Sequence, residues 1–99
     1  MKYKTIEPCK TKKGFQAIPE MPKSIELEKI AMAIPNYLEE FKLIRITKVV
    51  ALFKDEKRGY RLSLYPSGKA FIFDIADRKE AEEIFRKLSL CISKQEKGV

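Results

Sequence analysis

Cys9, in the stretch "PCKTKKG", is the side chain best placed by type to act as a nucleophile, because neighbouring lysines favour the thiolate. The chain of 99 residues holds no histidine, and Cys91 is its second cysteine, far away in sequence. A thiolate at Cys9 therefore has neither an imidazole base nor a resolving thiol beside it. The same lack of histidine and of metal-ligand cysteine spacing argues against zinc chemistry. Asp74 and Asp77 are close enough to suggest a cation site, yet Asp77 precedes an amphipathic run and reads better as a helix cap. "PSGK", Pro66 to Lys69, resembles a fragment of a phosphate loop. It carries one glycine and leads into a strand rather than a helix N-terminus, so it reads as a turn. The sequence predicts a protein without catalysis of its own and without a cofactor.

Charge is informative in its placement. The net charge of +7 is the sum of +4 over residues 1–23, −3 over 24–41, +6 over 42–69 and zero over 70–99. Positive charge thus concentrates on the N-terminal segment and on the expected strands, where it can attract phosphate backbones or an acidic protein surface. Abundant Lys, Glu and Ile with scarce Asn and Gln point toward a thermophilic source. No apolar run reaches the length of a membrane span, and "MKYKTIEPCK" lacks the apolar core of a signal peptide. A soluble, cytoplasmic protein with no membrane partner is expected.

The elements that must position these residues follow from periodicity. Residues 1–23 form a basic N-terminal segment in which Tyr3, Thr5 and Glu7 alternate as an edge strand, followed by a connector or brief strand in "GFQAIPEMPK". Ser24 is the expected N-cap of a helix whose apolar stripe is Leu27, Ile30, Ala31 and Ile34, and Pro35 should end it. "NYLEEF" reads as a short second helix. "KLIRITKVVALFK" reads as one strand of unclear register, because both of its faces are partly apolar. "DEKRG" and "PSG" then turn the chain into "YRLSLY" and "KAFIFDI", an antiparallel hairpin. Asp77 and Glu80 open a capping-box-like start to a final helix marked by Ala81, Ile84, Phe85, Leu88 and Ile92, with Cys91 beside that stripe. Residues 93–99 should fray. The order is strand, helix, three strands, helix: an α+β domain over residues 24–92, with an antiparallel sheet covered by helices on one face.

If Leu62, Leu64, Ala70 and Ile72 face the helices, alternation puts Arg61, Ser63, Tyr65, Lys69, Phe71 and Phe73 on the other face. Ser67 lies in the turn between them. The preceding strand adds either Arg45, Thr47, Val49 and Ala51 or the alternate set containing Lys48. Leaving two phenylalanines in water forfeits about 1.5–3 kcal/mol each, so something should cover them. Four occupants are open at this point: nucleic acid, a protein partner, a second copy of the chain, or the chain's own N-terminal segment.

From "SIELEKIAMAI" through "SLYPSGKAFIF" to "KEAEEIFRKL", about residues 24–92, the chain resembles one repeat of the TATA-box-binding protein fold. Leu27, Lys29, Ile30 and Ala31 match the first helix of that repeat, and Tyr65, Ser67, Gly68 and Lys69 match its hairpin motif. The resemblance implies a concave sheet that meets the minor groove of double-stranded DNA. Tyr65 would stand at a wedge position, Ser67 and Lys69 near the backbone, and Phe71 and Phe73 toward the groove. The family carries two tandem repeats and this chain has room for one, so a homodimer with one continuous saddle is implied. A lesser likeness joins the hairpin to the small "YPDGR"-like domain appended to some ubiquitin-activating-type adenylyltransferases. The expected function is a non-catalytic binding module that works through the sheet face. Arg45, Lys48, Arg61 and Lys69 would touch phosphates, and Tyr65, Phe71 and Phe73 would pack on sugars or bases. The alternative is a protein-interaction or self-association module that uses the same face.

Overall fold

The computed structural model describes residues 2–10, 13–21 and 24–97, with the side chains of residues 96 and 97 left aside. Six strands form one antiparallel sheet: β1 (Tyr3–Pro8), β2 (Gly14–Pro19), β3 (Phe41–Ile46), β4 (Ala51–Asp55), β5 (Tyr60–Leu64) and β6 (Ala70–Phe73). Their spatial order is β1-β2-β6-β5-β4-β3. Two helices, α1 (Leu27–Ala33) and α2 (Arg78–Lys97), pack against each other and on one side of the sheet. The chain is therefore an α+β protein with an antiparallel sheet and helices on one face. No described helix is long and apolar enough to cross a membrane.

The β5–β6 hairpin behaves as alternation requires. Leu62 pairs with Ile72 and Leu64 with Ala70, and all four side chains are fully buried. Phe53 and Ala51 of β4 and Phe15 and Ala17 of β2 continue those two rows. Against them lie Ile30, Ala31 and Ile34 from the first helical segment and Ala81, Phe85, Leu88, Cys91 and Ile92 from α2.

Several expectations need correction. "KLIRITKVVALFK" is not one strand but the hairpin β3–β4. The hydroxyl of Thr47 accepts the N–H groups of Val49 and Val50, both at 3.2 Å, and the Thr47 N–H donates to the Val50 carbonyl at 2.8 Å. A threonine side chain that satisfies local amides reverses the chain here, inside a run whose β-branched residues read as continuous strand. "NYLEEF" is not a helix. A 3-10 turn at Ile34–Asn36 absorbs Pro35, single turns follow, and Phe41 already opens β3. Leu38 and Phe41 do point into the core.

Ser24 is not the N-cap of α1, which starts after Glu26 with no side-chain cap bond. The Ile25 N–H donates instead to the Pro66 carbonyl at 2.8 Å, which holds this segment extended against the β5–β6 loop and delays the helix. At the other end, α2 continues through Lys97, so residues 93–97 are helical rather than frayed; residues 98 and 99 lie outside the described part. The first 23 residues are also more than a leading segment, since β1 and β2 extend the same sheet beyond β6.

Asp77 does cap α2, accepting the Lys79 N–H at 2.9 Å. Glu80 turns away from a capping box. Its carboxylate accepts the Tyr60 hydroxyl and an Arg58 N–H at 3.0 Å. Arg58 also donates to Asp55, whose side chain is buried and whose Oδ1 accepts the N–H groups of Lys57 and Arg58. This network ties the β4–β5 turn to the first turn of α2. Burial alone would raise the Asp55 pKa. The hydrogen bonds and charge of Arg58, with the Lys57 N–H, outweigh that and hold it below the usual aspartate value.

Two outcomes follow. Because the folded-state pKa of Asp55 is depressed, its contribution is present above the ordinary aspartate range and is lost as pH falls through the lowered value. Asp55→Asn should cost about 2 kcal/mol at neutral pH in urea unfolding, and the two proteins should converge in acid. Gly14 abuts β6 so closely that an added Cβ would sit 2.1 Å from the Ile72 carbonyl oxygen. Gly14→Ala should therefore lower stability by about 2–3 kcal/mol or more in the same assay, since backbone cannot yield as a side chain does.

Candidate functional site

The face of the sheet opposite the helices is built by register. Directly opposed residues in antiparallel strands point the same way. One row therefore runs Lys42, Lys54, Arg61, Phe73 across β3, β4, β5 and β6. The next runs Arg45, Leu52, Ser63, Phe71, Gln16, Glu7 from β3 to β1. No described element lies over these rows, because both helices occupy the other side.

The aromatic side chains meet. Phe71 and Phe73 lie with near-parallel rings, 8° apart in plane and 5.8 Å between centroids. Tyr65 stands edge-on to Phe71 at 5.7 Å. All three are half-buried by this mutual contact, a stabilising arrangement for rings that carry a negative face and a positive edge. Cations complete the cluster: the Lys69 Nζ sits 5.1 Å from the Phe71 centroid and the Arg61 guanidinium 5.8 Å from that of Phe73. Such contacts are worth about 0.5–1 kcal/mol at exposed sites and hold the charges over the rings. The answer to what covers Phe71 and Phe73 is partly their own neighbours. The N-terminal strands lie beside the hairpin, not over it.

The hairpin loop that carries Tyr65 and Lys69 is fixed from several directions. The Tyr65 N–H donates to the Lys69 carbonyl and the Gly68 N–H to the Tyr65 carbonyl, both at 2.9 Å. Gly68 has φ +89°, a conformation that glycine adopts without strain. Its carbonyl accepts the Tyr3 hydroxyl at 2.8 Å, so β1 reaches across the helix side of the sheet to pin the loop. Burial pushes the Tyr3 phenol well above the usual tyrosine value, which keeps it a donor.

The nine residues singled out in the sequence divide cleanly. Arg61, Ser63, Tyr65, Lys69, Phe71 and Phe73 come together on the open face, and Arg45 joins them two strands away from Ser63 through Leu52. Ser67 does not; its hydroxyl accepts the Lys69 N–H at 3.3 Å in the exposed turn. Lys48 does not either. It belongs to the β3–β4 turn and lines a groove beside α1, with Leu27, Met32 and Pro66. Sequence reasoning missed Lys42 and Lys54, because the unrecognised turn at Thr47 hid the register that aligns both with Arg61.

Between β3–β4 and the Tyr65–Phe73 wall, the face dips into an open depression of about 400 Å3. Ile44, Leu52, Tyr65 and Phe73 give it apolar walls, with Lys54 and Arg61 also lining it. Ser63 is the least exposed polar residue in the lining, at 8%. Ile44 enters because β3 carries a bulge between Leu43 and Arg45, which turns an extra side chain onto this face.

Burial raises the pKa of Cys9 and the charge of Lys69 offsets that only in part, a direction opposite to the one that flanking lysines favour. Cys91 is buried in the core, and desolvation pushes it up to about 11. Asp74 pairs with Arg61 at 2.8 Å and Asp77 caps α2, so these two carboxylates do not converge. No group of acidic, cysteine or histidine side chains suited to a metal ion occurs among the described residues.

No protein-family model, curated protein or solved structure matches the chain. The half-buried aromatic cluster should be more dispensable to folding than the core. Phe71→Ala should cost about 1–2 kcal/mol in chemical denaturation, against about 3–5 kcal/mol for Phe85→Ala at the centre of α2's buried stripe.

Proposed function

We propose that the protein is a non-catalytic module that binds nucleic acid through the open face of its sheet. One observation carries this reading: a contacting Tyr65–Phe71–Phe73 cluster is bracketed by Lys69 and Arg61 on a face that no described element covers. Lys42, Arg45 and Lys54 extend the positive charge across β3 and β4, and they make no ion pair among the described residues. Two of the acidic side chains farther along the sheet are themselves engaged, Glu7 by Gln16 and Asp74 by Arg61. A face that joins aromatic rings to unpaired cations on neighbouring strands suits a ligand that is both anionic and flat-faced.

The resemblance to one repeat of the TATA-box-binding protein fold supports the same reading. The order of helix, strands, "SGK" hairpin and long helix agrees with it, as does an open sheet face opposite the helices. On this reading the working unit is a homodimer, since one chain supplies one sheet and a second copy joined at an edge strand extends the basic face. A protein-interaction role is the second reading. It is favoured by Ile44, 58% exposed, next to exposed Leu43 on the edge strand β3, where unpaired backbone groups invite another chain.

A fluorescent duplex with a single-stranded tail, which presents both forms of DNA at once, tests the proposal by anisotropy while light scattering reports mass. Binding should fall steeply with salt, and Lys54→Gln with Arg61→Gln should flatten the log–log slope by about 1–2. A dimer that ignores the probe at low salt, and that Ile44→Lys dissociates, would replace the nucleic-acid reading with self-association.

A further inference from the structure

The open face holds a depression rather than a ridge, and that shape bears on which form of nucleic acid it takes. A wedge that kinks duplex DNA must project an apolar side chain between base steps. Here Phe71 and Phe73 lean on each other, Tyr65 rests on Phe71, and the apolar surface beside them recedes into a space of about 400 Å3. A receding apolar space beside aromatic rings suits a base that has left its stack and comes to the protein alone.

The polar atoms agree. The Ser63 hydroxyl has no hydrogen-bond partner among the described residues, although the residue is 8% exposed. Nor is it sealed from outside, since no buried side-chain oxygen or nitrogen lacks a partner among the described residues. The hydroxyl therefore opens to the depression, where a ligand can reach it. At this position it can both donate to and accept from the edge of a base. Lys54 of β4 and Arg61 of β5 stand opposite one another in register, together in the row next to Ser63, and both line the depression. Their charge complements the phosphates of a strand that carries such a base, and among the described residues no unengaged carboxylate of the central strands opposes it.

We propose that this depression is a base-binding subsite for single-stranded nucleic acid: Tyr65 and Phe73 pack on one unstacked base, Ser63 meets its polar edge, and Lys54 and Arg61 hold the flanking phosphates. The proposal rests on the nucleic-acid reading and narrows it, since a module built for an intact minor groove has no use for an apolar space that recedes beside its aromatic rings.

Anisotropy with labelled oligothymidylate and oligodeoxyadenylate of about 12 nucleotides, and with the duplex annealed from the two, separates the outcomes. At least one single strand should bind about tenfold or more tightly than the duplex. Ser63→Ala should weaken that strand several-fold and narrow the difference between the two bases, while duplex affinity stays unchanged. Lys54→Ala, at the exposed rim, should weaken the single strand without touching base preference, and its far-ultraviolet spectrum checks that the fold is intact. A duplex bound as tightly as either strand, or a Ser63→Ala protein that binds like the parent, overturns the subsite and leaves the broader reading standing. Absence of binding to all three probes at low salt overturns both.

Discussion

Everything on the open face depends on how the β5–β6 hairpin is held. Leu62, Leu64, Ala70 and Ile72 are driven under the helices by the removal of their apolar surface from water. In a pleated strand the residues between them have no choice but the other side. Arg61, Ser63, Phe71 and Phe73 are therefore placed by the burial of their neighbours, not by contacts of their own. A one-residue slip of register would exchange the two sets, putting two phenylalanines in the core and an arginine beside them. The core rows continue through Phe53 and Phe15, so the same constraint propagates across four strands.

Two further devices keep that hairpin in place, one at each end. At the loop end, Tyr3 from β1 and Ile25 ahead of α1 both bond to the backbone of residues 66–68. At the opposite end, the buried Asp55 carboxylate organises the β4–β5 turn, and Arg58 and Tyr60 carry that order to Glu80 on α2. The sheet is thus clamped at both ends to its helical layer, through groups that lie away from the open face. Side chains on the face can be exchanged while these clamps preserve the fold.

The open face itself has an uneven character. Toward β6 it is aromatic and half-buried, with cations over the rings; toward β3 it is aliphatic and more exposed, with unpaired lysines and an arginine. The depression lies where the two regions meet. An anionic ligand finds charge on both sides of that line. A protein partner finds the exposed aliphatics chiefly at the β3 edge. The two functional readings therefore draw on different ends of one surface.

Local pattern was enough for much of this. Strict alternation around "PSGK" located the central hairpin and sorted its two faces, because period-two spacing has one meaning when one side must be buried. The apolar stripe from Ala81 to Ile92 located α2 for the same reason. Where the sequence was silent, the deciding interactions were long-range or involved side chain and backbone. The turn at Thr47 is made by a hydroxyl inside a β-branched run, and propensity reads straight through it. The helix start after Glu26 depends on a bond from Ile25 to Pro66, some forty residues away in sequence. The alignment of Lys42, Lys54 and Arg61, and the bulge that brings Ile44 to the depression, exist only once β3 and β4 pair. Composition and periodicity determined which residues would share a face; pairing between distant strands decided which of them would share a site.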